Sequence, residues 1–396
     1  MTNRVSCVII ICVSISIAKE VLLMDFLRRC WAEIDPAALD YNLKEYKKLI
    51  PWDTKIMCVV KASCYGHGDE IIVPYLQEAH DIEYFAVSNI EEAVRLRDMY
   101  ITGDILILGY TPPELAPMMS EYNLIQACTE LSYAEALSSY AKGKVRLHGA
   151  VDTGMSRIGV HGTPEEQANE LAEISVLPNI SLEGIFSHFS CADGVSTSDD
   201  EYTKMQAEHF FRVRDLLEAQ GVRLKHAHIK NSAGGAYGYG EGSTIARLGI
   251  ILYGLYPDPQ KPLPFKPKPV MTLKAVISQV KEIGAGTDVS YGRTFVSDRN
   301  MRLATVTAGY ADGYPRALSN KGEVIIHGRK CKICGRVCMD QFMCDVTNVP
   351  DAKPGDEVIL MNDEINADVI AALTGTIGYE VTCDITARVP RVLKEY

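Results

Sequence analysis

The sequence predicts an α/β fold, with an N-terminal (β/α)8 TIM-type barrel followed by a C-terminal β-rich domain. Short apolar runs typical of buried strands alternate with helical patterns up to about residue 255. A proline-rich stretch then interrupts this pattern, and the sequence beyond it has mostly the two-residue periodicity of strands. We therefore expect an extension at 1–24, a barrel at 25–255 and a β-rich domain at 256–396. A doubly wound α/β sheet is the alternative to the barrel.

The predicted barrel follows a short strand at 31–35, where Asp35 and Pro36 have the residue types preferred at a helix N-cap and first helical position. Helical patterns follow, among them 89–99, 164–174 and 199–220. Eight strands that alternate with helices make up a TIM-type barrel. The predicted strands are 56–60, 84–88, 105–109, 125–128, 145–151, 182–188, 224–229 and 247–253.

The β-rich domain begins after a connector at 257–269, whose prolines cannot continue a helix. Turn signals such as Gly284, Asp312-Gly313 and Pro354-Gly355 separate its predicted strands. One helix is predicted at 367–373. The predicted strands are 270–280, 288–295, 303–307, 323–327, 333–346 and 357–361.

Composition narrows the class of function. The net charge of -11, from 40 basic and 51 acidic residues, argues against a nucleic-acid-binding protein and fits small-molecule partners. The 12 cysteines are scattered, as expected of free thiols in a reducing compartment, which indicates a cytoplasmic protein. Cys331, Cys334 and Cys338 lack a fourth ligand at zinc-site spacing, so we expect no metal there.

The first residues contain an apolar segment, 6–18, which has the appearance of a signal-peptide core after Arg4. It is too short to span a bilayer as a helix, so no stable membrane association is expected. Two interpretations stay open: a signal or anchor segment, or an upstream extension of a chain whose functional start is Met24. The second is favoured because the cysteines look unpaired and because the resemblance to known proteins given below begins just after Met24.

Lys61 is the first candidate for chemistry, because it stands at the end of the buried strand 56–60. Burial lowers the pKa of an amine, so a lysine held there is a candidate nucleophile or Schiff-base former. Tyr65 follows four residues later, and Gly66 and Gly68 allow close approach of the backbone. The alternative is a lysine that extends to solvent from an ordinary strand end.

Two later segments are expected beside Lys61. Strand seven is followed by Asn231, Ser232 and small residues whose amides can surround a phosphate, and phosphate sites recur after strands seven and eight of such barrels. Arg247 lies inside the apolar run of strand eight, followed by Gly249. Barrel closure places strand eight next to strand one, and hence Arg247 near Lys61.

The segment 59–68, VVKASCYGHG, resembles the pyridoxal 5′-phosphate lysine segment of the alanine racemase family, usually VVKANAYGHG. It departs from that pattern at Ser63 and Cys64, and the similarity extends from about Trp31 to the C-terminus. The resemblance implies that Lys61 forms the Schiff base with the cofactor. It implies a further set of cofactor-binding residues, namely Tyr65, Asn231, Ser232, Gly249, Ile250 and Tyr379.

Arg247 resembles the family residue that hydrogen-bonds the pyridine nitrogen of the cofactor. Arginine stays protonated up to a pKa above about 12, so it does not readily pass a proton to the ring, and the cofactor becomes a weaker electron sink. A less stabilised carbanion regains its proton quickly and is less readily diverted into transamination. This property suits racemisation.

The segment 152–157 is similar to the family motif DTGMxR, which implies that Arg157 contacts the cofactor's phenolic oxygen and the substrate carboxylate. Ala150 stands where many members have a carbamylated lysine that supports this arginine. His188 matches a histidine that packs near the cofactor and bonds the equivalent of Arg247.

Racemisation requires a second base on the opposite face of the substrate. Tyr291 matches the family's tyrosine base, which comes from the partner subunit, and Met339 matches a residue whose amide meets the substrate carboxylate. Tyr310 and Asp312 resemble residues that line the path to the site. The resemblance thus implies a homodimer with a composite active site.

The resulting hypothesis is an alanine racemase that interconverts L-alanine and D-alanine by a two-base mechanism and supplies D-alanine for peptidoglycan. One alternative is a racemase of serine or of broad specificity, against which the bulky Tyr379 argues. A second is a non-catalytic carrier of the cofactor built on the barrel. A third is a fold-related basic amino-acid decarboxylase, whose glycine-rich phosphate loop is not evident here.

Overall fold

The structure is a computed structural model that describes residues 29–394. The predicted extension at 1–24, with its apolar segment and Met24, lies outside the described residues. The chain divides into two compact units. Of the described residues, the barrel unit comprises 34–272, 362–384 and 393–394, and the β-rich unit comprises 29–33, 273–361 and 385–392. Within 29–394, no helix has the length and apolar character needed to cross a membrane.

The described chain begins with strand β1 (Cys30–Ile34) and helix α1 (Pro36–Lys47). The barrel unit then contains a parallel eight-stranded sheet in the order β8-β7-β6-β5-β4-β3-β2-β9. Its strands are β2 (Lys55–Val59), β3 (Tyr84–Val87), β4 (Asp104–Ile107), β5 (Ile125–Cys128), β6 (Val145–Ala150), β7 (Ile180–Phe186), β8 (His226–His228) and β9 (Ile245–Leu248).

Two backbone hydrogen bonds join the ends of this sheet and nearly close it. Thr244 donates to the carbonyl of Ala227 at 2.9 Å, and Arg247 donates to that of Lys230 at 3.0 Å. The predicted barrel is therefore confirmed, and the doubly wound alternative is wrong. The last predicted strand, 247–253, is too long, because Ile250–Tyr253 forms a 3-10 turn, with Ile251, Leu252 and Tyr253 buried, rather than a strand.

The helices begin where the sequence places capping residues. Asp35 accepts from the Ala38 amide at the start of α1, and Asn89 accepts from the Glu92 amide. The later helices of the barrel unit are α2 (Asp69–His80), α3 (Ile90–Asp98), α4 (Ala116–Glu121), α5 (Leu131–Tyr140), α6 (Pro164–Ser175), α7 (Thr197–Ala219), α8 (Ser232–Ala236), α9 (Ala367–Thr374) and α10 (Gly378–Cys383). Helix α10 was not predicted from the sequence.

The β-rich unit contains a second eight-stranded sheet, in the order β13-β16-β15-β14-β17-β10-β1-β18. The remaining strands are β10 (Met271–Ile283), β11 (Asp288–Val289), β12 (Phe295–Val296), β13 (Met301–Val306), β14 (Glu323–Ile326), β15 (Arg329–Cys334), β16 (Phe342–Asp345), β17 (Glu357–Met361) and β18 (Arg391–Leu393). This arrangement confirms the β-rich character predicted for the C-terminal part.

Two predicted strands of this unit are wrong in their extent. The segment 288–295 is a small hairpin of β11 and β12, because Gly292 at φ 70° turns the chain between them. The segment 333–346 contains two strands, β15 and β16, separated by a turn that starts at Gly335, φ 80°. The residues of both turns therefore lie outside the hydrogen-bonded ladders of the flanking strands.

Candidate active site

Lys61 begins an unusual turn at the carboxyl end of β2. The four residues that follow it, Ala62 to Tyr65, have φ values of 51°, 50°, 56° and 53°, which make a left-handed helical turn. Each such residue costs roughly 1–2 kcal/mol relative to the right-handed form. The turn is closed by hydrogen bonds from the Cys64 amide to the Val60 carbonyl and from the Gly66 amide to the Ala62 carbonyl. Contacts with other parts of the barrel unit must therefore stabilise this left-handed turn.

Contacts on two sides of this left-handed turn supply that support. One carboxylate oxygen of Glu92 accepts from the Ala62 amide and the other from the Ser88 amide, each at 2.7 Å. On the other side, the Gly66 backbone lies against α10 so closely that a Cβ there would overlap the carbonyl of Thr382. The left-handed turn is thus positioned by Glu92, in the first turn of α3, and by α10, which is distant in sequence.

The amine of Lys61 has a lowered pKa. Burial is the largest cause, the charge of Arg157 adds to it, and Glu92 acts in the opposite direction. Its Nζ lies 6.0 Å from the centre of the Tyr65 ring. An amine in this state has a larger neutral fraction near physiological pH than an exposed lysine, as a nucleophile or base requires.

Arg247 lies on β9, directly beside β2, where it is paired with Met57. The side chain is buried, and it donates to Nδ1 and the carbonyl of His228, at 2.8 and 2.9 Å, and to the carbonyl of Ser187 at 2.6 Å. A longer bond of 3.2 Å reaches Nδ1 of His188. Every one of these bonds uses Nη1 or Nη2, and Nε donates to no described residue. Burial lowers the pKa of Arg247 to about 9, so the guanidinium is charged at neutral pH.

Three positive groups converge on His188. Burial lowers the pKa of this histidine well below its usual value, and the charges of Arg247, Arg157 and Lys61 lower it further. The structure therefore brings together the three cations that the sequence separates. Such a concentration of positive charge suits an anionic ligand.

Arg157 is exposed and makes no hydrogen bond or ion pair with the described residues. It lines a small cavity of about 20 Å³ together with Ala150 and His188. The methyl group of Ala150 offers no acceptor to the guanidinium. No other described side chain replaces the missing lysine as a partner of Arg157.

Tyr65, Ser232 and Gly249 meet on one side of the site. A Cβ at Gly249 would lie 3.0 Å from the Tyr65 hydroxyl oxygen, so any larger residue would crowd it. The Gly249 amide donates to the Ser232 hydroxyl at 2.9 Å. Asn231 caps α8 by accepting from the Gly234 amide at 2.7 Å. The neighbouring Ile250 starts the 3-10 turn, described above, that follows β9.

Tyr379 stands on α10, the helix that supports the left-handed turn. Its proximity to Tyr65 contributes to the raised pKa of the Tyr65 hydroxyl, although burial is the largest cause. The structure thus places all of the predicted cofactor-binding residues in the barrel unit.

Tyr291 and Met339 belong to the β-rich unit. Tyr291 is 70% exposed at the tip of the β11–β12 hairpin, and Met339 is 52% exposed in the turn before β16. The Met339 amide donates to no described residue, and the Met339 carbonyl accepts from the Ala311 amide at 2.9 Å. Asp312 is buried and forms ion pairs with Arg29 and Arg388, so its carboxylate holds the 309–313 turn.

His228 and Glu92 belong to the site but were not predicted from the sequence. His226 and His228 alternate along β8 and therefore point to the same face, and this was the available signal for a polar residue inside the barrel. Glu92 lies in the predicted helix 89–99, and its position there gave no sign of a role in the site. Its bond to Ala62 depends on the left-handed turn, which the sequence did not reveal.

The fold and the site define a barrel enzyme in which a lysine of lowered pKa and two arginines lie around His188. Two family models match the chain: "Alanine racemase, N-terminal domain" over residues 34–257 and "Alanine racemase, C-terminal domain" over residues 270–393. The chain belongs to the alanine racemase family.

Individual relatives agree with this assignment. The alanine racemase of Desulfovibrio desulfuricans is 42% identical over 380 residues, which covers 94% of this chain and all of that protein. Alanine racemase 1 of Clostridium acetobutylicum is also 42% identical, over 92% of this chain and 95% of that protein.

Two solved structures of the family have the same fold. Alanine racemase from Clostridium difficile 630 matches with a TM-score of 0.88 at 38% identity, over 93% of this chain and 97% of that one. Alanine racemase from Bacillus anthracis, solved with bound L-Ala-P, matches with a TM-score of 0.85 at 33% identity, over 94% of this chain and 96% of that one.

Proposed function

We propose that the protein is a pyridoxal 5′-phosphate-dependent racemase that interconverts L-alanine and D-alanine, and that its D-alanine supplies peptidoglycan. One observation carries this proposal. Lys61 follows β2 and Arg247 lies on the adjacent β9, the charges of both act on His188, and Arg247 keeps a donor, Nε, without a partner among the described residues. The relatives named alanine racemase match over nearly their full length.

The residues of this pocket fit the proposed cofactor. The spare donor of Arg247 suits a pyridine nitrogen, and the hydroxyl of Tyr65, Ser232 and the small Gly249 leave room and donors for a phosphate. Ile250 and Tyr379 border this phosphate side, and Asn231 shapes it by capping α8. Lys61 would hold the aldehyde carbon. When bound, the cofactor withdraws electrons from the substrate Cα and so acidifies its proton.

The chain's own groups then handle the substrate and its proton. The neutral amine of Lys61 accepts the proton from one face of Cα, and its lowered pKa favours that state. Arg247 is a donor that keeps its proton at neutral pH, because even its lowered pKa of about 9 lies above that range. Arg157 binds the substrate carboxylate, and so does the free amide of Met339 once the β-rich unit of a partner subunit completes the site.

The second base is Tyr291 of the partner subunit in a homodimer. Its hydroxyl is exposed on a hairpin tip, as expected of a side chain that completes the site of another copy. We place the enzyme in the cytoplasm, because the ten cysteines among residues 29–394 are all free thiols and most are buried.

A preference for serine is the main alternative. The ring of Tyr379 next to Tyr65 supports a narrow pocket for the small side chain of alanine. The carrier hypothesis does not explain why a second, β-rich unit with an exposed Tyr291 and a free Met339 amide accompanies the barrel, and the glycine-rich phosphate loop expected of the decarboxylase is not evident in the sequence.

Isotope exchange in D2O tests the proposed function. The protein with its cofactor is incubated with L-alanine or with L-serine, and products are followed by NMR and chiral chromatography. We expect D-alanine that carries deuterium at Cα, formed faster than D-serine. In the Tyr291→Phe variant, Cα exchange should continue for only one enantiomer of alanine, the one whose proton faces Lys61, while inversion of both enantiomers stops. If no amino acid exchanges its Cα proton, the carrier hypothesis is favoured.

A further inference from the structure

A hydrogen-bonded chain of three buried side chains runs through the barrel interior. Nη1 of Arg247 donates to Nδ1 of His228 at 2.8 Å, and Nε2 of His228 lies 3.0 Å from Nδ1 of His148. Arg247 is 3% exposed, His228 is fully buried and His148 is 1% exposed. The chain therefore links the proposed cofactor pocket to a residue two strands beyond β8.

The chain crosses β7, which lies between the strands of the two histidines. His148 belongs to β6 and is paired with Gly184 of β7, which in turn is paired with His226 of β8. A Cβ at Gly184 would lie 2.9 Å from Nε2 of His148 and 2.8 Å from the His226 carbonyl. Only glycine at this position lets the His148 ring pass over β7 and reach His228.

Because Arg247 is charged, its hydrogen bond determines which nitrogen carries the proton in His228 and, through it, in His148. A guanidinium can only donate, so Nδ1 of His228 accepts and the proton of this neutral ring is on Nε2. That proton is donated to Nδ1 of His148, whose own proton is therefore on Nε2. Burial keeps both rings neutral, since it lowers the pKa of His148 to about 3 and that of His228 well below its usual value.

The other nitrogen of His148 is an unpaired donor. Its Nε2 is buried and has no hydrogen-bond partner among residues 29–394. An unpaired buried donor costs about 1–3 kcal/mol. A phenylalanine would fill the same space without that cost, so the useful polar atom of this ring is Nδ1, the acceptor for His228.

We propose that His148 is a positioning residue for Arg247, acting through His228. By accepting the Nε2 proton of His228, His148 holds that ring with Nδ1 toward Arg247. The guanidinium then stays in one orientation, with Nε left for the ligand. The kinetic part of this inference rests on the proposed racemase function, whereas the hydrogen bond itself does not.

Three variants of the protein purified with its cofactor separate this role from packing. His148→Phe removes the acceptor at similar size, and His148→Asn retains an oxygen near the position of Nδ1. His226→Phe is the matched control, because His226 is a neighbouring histidine that takes no part in the hydrogen bonds among Arg247, His228 and His148. In His148→Phe, we expect kcat for alanine to fall about tenfold with KM within about twofold. His148→Asn should recover most of this loss, and the control should stay within about twofold of the unchanged protein.

NMR of protein labelled with ¹⁵N-histidine supplies a readout that does not depend on turnover. We expect His228 to show a protonated Nε2 that exchanges slowly with water in the unchanged protein, exchanges faster in His148→Phe and is slow again in His148→Asn. Unchanged His228 signals in His148→Phe would overturn the inference, as would equal losses of kcat and melting temperature in the Phe and Asn variants. If the unchanged protein does not racemise alanine, the proposed function fails, and the NMR result still decides the role of His148.

Discussion

The carboxylate of Glu92 connects the ends of two neighbouring strands, since its oxygens accept from the amides of Ala62 and Ser88 at 2.7 Å each. Ala62 is the first residue after Lys61, in the left-handed turn. Glu92 therefore acts on the lysine twice: it holds the backbone beside it, and its negative charge raises the pKa of the amine.

Replacing Glu92 by Gln should change both properties. An amide cannot accept from two N–H groups through both of its ends, so we expect a loss of about 1 kcal/mol in the free energy of unfolding. Without the negative charge, the pKa of Lys61 should fall further. The rate at which the cofactor-free protein binds pyridoxal 5′-phosphate, measured against pH, should then reach its half-maximum at lower pH. Glu91→Gln is the control, because Glu91 is exposed on the same helix; an equal shift in both variants would contradict this role of Glu92.

Replacing Lys61 by Ala should abolish activity and the visible absorbance of the bound cofactor. Loss of a nucleophile that is also a base lowers kcat by at least about a thousandfold. Lys55→Ala, at the exposed start of the same strand, should leave both properties unchanged. Turnover that survives in the Lys61 variant would remove the basis of the proposed mechanism.

Replacing Gly66 by Ala should destabilise the protein by more than about 3 kcal/mol, because the added methyl overlaps the Thr382 carbonyl and the residue has φ +84°. Gly238 has a similar φ, +79°, but open space around it. Gly238→Ala should therefore cost only about 1 kcal/mol, the conformational part. Urea unfolding of both variants measures the difference. Equal losses would mean that α10 does not support the turn.

Stability should fall as the pH drops from 6.5 to 5. The pKa of His148 in the folded protein is about 3, against a usual value of 6.5, and that of His228 is also far below its usual value. The unfolded chain therefore binds more protons than the folded one in this range, and each histidine contributes a loss of up to about 1.4 kcal/mol for each unit of pH. Carboxylates such as Glu183, with a pKa lowered to about 2, act only below about pH 4.5.

Urea midpoints measured from pH 8 to 5 test this dependence. The groups that face His148, namely His226, Glu183, Arg146 and Asp104, remain in place in His148→Phe. That variant should show a shallower decline than the unchanged protein. An identical slope would mean that His148 is not held neutral in the folded state.

The barrel could be predicted because its strands are apolar on both faces and short, so each appears as a compact run between helical patterns. The predicted ends of the strands were less exact where apolar residues continue beyond the strand. Ile250–Tyr253 form a mostly buried 3-10 turn of apolar residues, which gave the same signal as the strand before them. Helix α10 has six residues, too few to show a helical period.

The site was predicted in part. Lys61 and Arg247 were placed together by barrel closure, which is a rule of topology. The left-handed turn was not predictable, because Ala62, Ser63 and Cys64 have no preference for positive φ, and only contacts from Glu92 and α10 impose it. The hydrogen bond between His228 and His148 depends on Gly184, which has no side chain, in the strand between them. This relationship is visible only in three dimensions.

The close contact between Gly66 and the Thr382 carbonyl also has a consequence for the order in which the chain is made. During synthesis, the residues of the barrel strands emerge first and begin to fold as a unit. The segment around Lys61 lacks one of its two supporting contacts until residues 378–383 have also emerged. The barrel strands can therefore assemble before the turn at Lys61 has its contact with α10, and we expect the geometry of the proposed cofactor site to form last.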